Sequence, residues 1–98
     1  MKVIWSPLAV EQTRDIASYI AQDKPSIAEQ WAEDVFASVG RLTDFPKSGR
    51  IVPEIKKESI REIVHGNYRI VYRIHETQIS ILLVKSYRQK LSRDEITL

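Results

Sequence analysis

Ile60-Arg61-Glu62-Ile63-Val64-His65-Gly66-Asn67-Tyr68-Arg69-Ile70-Val71-Tyr72-Arg73-Ile74-His75 is the stretch that decides the fold. Two runs rich in β-branched and aromatic residues flank Gly66-Asn67, a dipeptide suited to a two-residue hairpin turn. Such a turn pairs His65 with Tyr68, Ile63 with Ile70 and Arg61 with Tyr72. A third run, Gln78 to Tyr87, follows a turn around Glu76-Thr77 and pairs Ile74 with Ile79, Tyr72 with Ile81 and Ile70 with Leu83. Strand alternation then gathers Ile63, Ile70, Tyr72, Ile74, Ile79, Ile81 and Leu83 on one face, enough to seat a layer of helices. The other face holds Glu62, Val64, Arg69, Val71, Arg73, Leu82 and Val84. Four aliphatic residues and two arginines are more than a water-facing sheet needs. This mixture predicts a partner site, unless the loop from Pro46 to Ser59 or the tail after Arg88 folds over it.

Upstream the period changes. Lys2-Val3-Ile4-Trp5 reads as a short strand, whose pairing partner the sequence does not specify. Ser6-Pro7 opens a helix, with Ser6 as N-cap and Pro7 at the first helical position. Ala9, Thr13, Ile16 and Ile20 follow on one helical stripe, and Asp23-Lys24-Pro25 interrupts it. A second stripe runs through Ala28, Ala32, Val35, Val39 and Leu42, with Trp31 on its flank. So short a break makes the two helices, roughly 7–22 and 25–45, antiparallel neighbours. Phe45-Pro46 to Gly49-Arg50 is a turn-rich exit, and the chain onward to Ser59 reads as loop. The expectation is one α+β domain over residues 1–98: a strand and a helical hairpin packed on an antiparallel β-sheet, in the order β-α-α-β-β-β.

The 98 residues carry a net charge of +2, which hides an asymmetry. Four basic residues stand against seven acidic ones up to Phe45, a balance of −3; eleven stand against six from Pro46 onward, a balance of +5. A polarised chain of this kind suits an anionic partner for its second half, either nucleic acid or an acidic protein segment. With no cysteine, disulfides and thiolate metal sites are excluded, and a cytoplasmic location is expected. No signal peptide or membrane span is expected from the N-terminal pattern. His65 and His75 are ten residues apart at hairpin ends with no third ligand nearby, so neither metal nor cofactor is expected.

The chemistry-bearing set is cationic: Arg61, Arg69, Arg73, Lys85 and Arg88, interleaved with Tyr68, Tyr72 and Tyr87. Arginines grip phosphates or carboxylates in bidentate fashion, and tyrosine stacks on a base or moves a proton. Arg61, Arg69, Arg73, Lys85, Tyr87 and Arg88, together with Val71, Leu82 and Val84, form the expected partner-binding surface.

Trp5-Ser6-Pro7-Leu8-Ala9, Ile16-Ala17-Ser18-Tyr19-Ile20, Phe45-Pro46 to Gly49-Arg50, Ile60-Arg61-Glu62-Ile63 and Gly66-Asn67-Tyr68-Arg69-Ile70-Val71-Tyr72-Arg73 occur in that order. In this the chain resembles the RelE/ParE toxin superfamily, in its ParE-like branch, from about Lys2 to Arg88. The resemblance implies a growth-inhibiting toxin of a type II toxin–antitoxin system, of the plasmid-stabilization kind, neutralised by a cognate antitoxin in a hetero-oligomer. ParE-like members poison DNA gyrase. RelE-like members are metal-independent endoribonucleases that cut messenger RNA on the ribosome.

For the ribonuclease the matching residues are Arg69, Arg88, Tyr87 and Lys85. Two lysine positions of that pattern fall near Ile60 and Glu62, and the tail from Gln89 to Leu98 has no tyrosine. The departures favour gyrase over the ribosome as target. A toxin-derived module that binds antitoxin without toxicity is a third possibility.

Overall fold

The computed structural model describes residues 1–96. Its elements are β1 (Lys2–Trp5), α1 (Pro7–Ala21), α2 (Pro25–Gly40), β2 (Arg50–Ile51), β3 (Ile60–His65), β4 (Tyr68–Ile74) and β5 (Gln78–Ser86). The strands form one mixed sheet in the order β1-β5-β4-β3-β2, with the helical hairpin on one face. β1 lies parallel to β5, the pairing that the sequence left open, while β5, β4, β3 and β2 each run antiparallel to the next. β2 is a two-residue strand inside the segment read as loop. No described helix is long and apolar enough to cross a membrane.

Local chemistry accounts for the helices. The Ser6 hydroxyl accepts the Ala9 amide at 3.0 Å, as an N-cap should, and donates to the Leu82 carbonyl at 2.9 Å, which ties the start of α1 to β5. Pro7 and Pro25 each occupy a first turn, where a missing N–H costs nothing. α2 ends at Gly40 and tightens into a 3₁₀ turn over Arg41–Thr43, which seats Leu42 fully in the core. Trp31, expected on the flank, is instead buried and meets Tyr68 edge-on at 5.4 Å.

The β3–β4 pairing is the expected one throughout, with Gly66 at φ 59° supplying the left-handed conformation at the first turn position. The β4–β5 pairing holds only halfway. Ile74 faces Ile79 and Tyr72 faces Ile81, but a bulge beyond Tyr72 places Val71 opposite Leu83 and Ile70 opposite Val84. Leu82 is the extra residue. A bulge reverses the facing of everything beyond it on the bulged strand. Val84 therefore enters the core under the helices with Ile70 and Tyr72, while Leu83 moves to the far face.

That far face is also not free, contrary to the sequence reading. Val52 and Ile55 from the loop and Leu91 and Ile96 from the tail cover Ile60, Val71 and Leu83, forming a second apolar cluster. Val71 is 0% exposed and Val84 1%. Both covers foreseen as alternatives, the loop and the tail, are in place. Together they bury four further apolar side chains, which at roughly 25 cal/mol per Å² outweighs leaving an aliphatic face in water.

Candidate partner-binding surfaces

β4 delivers Arg69 and β3 delivers Glu62 to the far face, and the loop after β2 brings Glu54 over them. Arg69 Nε donates to Glu62 Oε1 at 2.6 Å, while Nη1 and Nη2 fork onto the Glu54 carboxylate at 2.7 and 2.9 Å. Arg50 Nε reaches the other Glu62 oxygen at 2.6 Å. The Leu91 amide completes Glu54 at 2.9 Å, and Arg69 also donates to the Gln89 carbonyl at 3.3 Å. The adjacent guanidinium holds the Glu54 carboxyl down to about 2, and the two carboxylates raise Arg69 further above its ordinary range. This cation, 3% exposed, binds the loop and the tail to the sheet.

The other expected cations are dispersed. Arg61 donates to the backbone carbonyls of Glu58, Lys47 and Gly49 at 3.0, 3.3 and 2.9 Å. Lys85, directly opposite Arg69, is taken up by Glu95 at 2.6 Å and by the Lys90 carbonyl at 3.1 Å. The ammonium lowers the Glu95 pKa. Tyr72 is buried, its hydroxyl donating to the Pro46 carbonyl at 2.7 Å and accepting the Gly49 amide at 3.0 Å. Burial raises its pKa. Tyr87 and Arg88 lie exposed in the turn beyond β5. Arg73 is half-buried, and its side chain has no hydrogen bond or ion pair among the described residues. His65 approaches Asp34 at 3.7 Å and His75 meets Ser80 at 3.0 Å. No metal-binding group of acids and histidines occurs among the described residues.

An apolar groove of about 390 Å³ opens between the helices, lined by Trp5, Val10, Arg14, Ala17, Ala32 and Phe36. Trp5 and Phe36 pack ring to ring at 5.2 Å, yet Phe36 is 56% exposed and Val10 39%. An apolar surface left open in this way suits a partner. A groove beside the helices is one of the two tracks that the sequence expects to take an antitoxin segment, with no lining residue named. Its signal was available: Phe36 and Val10 lie off both buried helical stripes, on faces that are otherwise polar.

The family model described as the ParE toxin of type II toxin–antitoxin system, parDE, matches residues 3–91. A similar solved structure is the "Chromosomal ParDE TA system from P. aeruginosa", with a TM-score of 0.73 at 18% identity. The likeness, one of fold, covers 88% of this chain and 95% of that one. No curated protein matches in sequence.

Proposed function

The chain belongs to the ParE toxin family of type II toxin–antitoxin systems, and from that premise we propose that it arrests growth by poisoning DNA gyrase, in the cytoplasm, until a cognate antitoxin neutralises it. The observation that carries the choice of target is the Arg69 network. A ribonuclease of the RelE kind needs a cluster of open cations around the scissile phosphate to take up charge in the transition state. Here Arg69 is enclosed by Glu54 and Glu62, Lys85 is neutralised by Glu95, and only Tyr87 and Arg88 of that set remain open. A phosphate entering that network would meet two carboxylates.

The antitoxin site that this arrangement favours is the groove between α1 and α2, since the expected sheet face is closed by the chain itself. A segment disordered when free would fold into the groove with its apolar side chains on Trp5, Val10 and Phe36. Expression of the chain alone should stop bacterial growth, and co-expression of the adjacent small gene should restore it. Unimpeded growth with antitoxin binding retained would point instead to a non-toxic binding module. Loss of supercoiling by purified gyrase is the expected biochemical readout, with ribosome-dependent messenger cleavage as the competing one.

A further inference from the structure

Most acids of the second half of the chain are already paired. Glu54 and Glu62 are held by Arg69 and Arg50, Glu58 by Lys47, and Glu95 by Lys85. The surplus of positive charge therefore falls on other side chains, and most of these face water. Lys56 and Lys57 in the loop and Arg88, Lys90 and Arg93 in the tail are exposed, and none has an ion pair among the described residues. Against them stands Asp94, the one acid of the loop and tail that lacks an ion pair among the described residues.

These cations border one seam. Ile55 of the loop and Leu91 and Ile96 of the tail pack into the same apolar cluster, and the Leu91 amide reaches Glu54 at 2.9 Å. Lys56, Lys57, Lys90 and Arg93 are the exposed neighbours of these anchors, so they ring the outer surface of the cover. Backbone turns fix the loop side: the Lys56 amide donates to the Val52 carbonyl at 2.9 Å and the Ile60 amide to the Lys57 carbonyl at 3.0 Å. Lys56 stands at φ 58°, a left-handed backbone that glycine takes at less cost. A capping box at Ser92 fixes the tail side around Arg93. The exposed helix acids Glu11, Asp15, Glu29 and Glu33 lie across the sheet, behind packed layers each roughly 10 Å thick. With a Debye length of about 10 Å at 0.1 M salt, they do not cancel the field of the cover.

Several exposed cations on one surface suit a ligand that presents many anions at fixed spacing. Duplex DNA carries one charge per roughly 1.7 Å of its axis, and its binding draws on several phosphate contacts at once. Single strands need a row of rings to stack on, whereas the tail has one exposed aromatic, Tyr87, and the loop has none. We propose that the outer surface of the loop and tail binds the phosphate backbone of duplex DNA without regard to sequence, through Lys56, Lys57, Arg88, Lys90 and Arg93. The inference goes beyond the gyrase reading and does not rest on it, and the surface is distinct from the helical groove.

The probe is a fluorescein-labelled DNA duplex of about 20 base pairs, titrated with the purified chain in the absence of gyrase and followed by anisotropy. Saturable binding is expected, weakened roughly a hundredfold between 50 and 200 mM salt, as about four or five phosphate contacts require. Lys56→Gly with Lys57→Gln, and separately Lys90→Gln with Arg93→Gln, should each weaken it at least tenfold and flatten the salt dependence. Lys24→Gln, between the helices, should leave it unchanged. Glycine suits the backbone at Lys56, so the loop variant should melt no lower than the native chain, and it serves if the tail variant fails to fold. Absence of saturable binding, native affinity in the folded loop variant, or tighter binding of an oligoglutamate, an oligothymidylate or an RNA duplex than of the DNA duplex would overturn the proposal.

Discussion

Arg69 Nε lies 2.6 Å from Glu62 Oε1 inside the sheet, and the Glu62 side chain is 0% exposed. Removing one member of a buried pair leaves an uncompensated charge, which typically costs about 3–5 kcal/mol. Arg69→Met should therefore lower stability by about that amount, seen as a fall in the urea midpoint at an unchanged slope. Such a variant loses activity through unfolding, so loss of toxicity at this position would not identify a catalytic arginine.

Glu54 ties the same network to acid stability. Its pKa is lowered from 4.5 to about 2, so its stabilising contribution is complete above about 4.5 and lost as the pH falls toward 2. The contribution is on the order of 3 kcal/mol. Unfolding midpoints measured from pH 6 to pH 2 should fall steeply in the native chain and less so in Glu54→Gln, which begins lower.

A second structural tie lies in Phe45-Pro46 to Gly49-Arg50. A Cβ on Gly49 would sit 2.6 Å from both the Glu62 carbonyl oxygen and the Tyr72 hydroxyl, a distance at which atoms must move. Gly49→Ala should cost about 1–3 kcal/mol through overpacking. Tyr72→Phe strands the Pro46 carbonyl and the Gly49 amide and should cost about 1–3 kcal/mol. Thermal unfolding of the two variants checks both values.

These ties show how much was legible in the sequence. The helical stripes, the Ser6 cap and the Gly66-Asn67 turn encode their structure locally, and each element formed where its own residues placed it. The bulge did not announce itself. Leu82, Leu83 and Val84 are all aliphatic, so alternation cannot say which of them is the extra residue. One residue of slip sent Val84 inward and Leu83 outward. The Arg69–Glu62 pair was legible from their shared sheet face, but the rest of the network was hidden. Glu54 and Arg69 are fifteen residues apart, and only the closed loop brings them together. Arg69 and Tyr72 thus read as chemistry in the sequence, while in the fold they join Glu62 and Gly49 in holding the loop and the tail onto the sheet.

The groove offers a clean test because its exposed residues carry little of the core. Phe36→Asp should weaken the antitoxin complex at least a hundredfold, about 3 kcal/mol, with little change in the melting temperature of the chain alone. Val71→Asp, by contrast, buries a charge in the second cluster and should unfold the chain before reporting on any partner. Calorimetric titration of antitoxin into each variant, with a melting curve alongside, separates the two effects.

Gyrase inhibition and ribosome-dependent cleavage by this ParE-family chain are separated by one paired measurement. The purified chain should be added, in parallel, to gyrase with relaxed plasmid and to translating ribosomes with a defined messenger. Supercoiling should be inhibited and the messenger should stay intact, with no cleavage by the native chain or by Arg88→Ala. Codon-specific cleavage of the messenger, abolished by Arg88→Ala while supercoiling proceeds undisturbed, would contradict the gyrase reading.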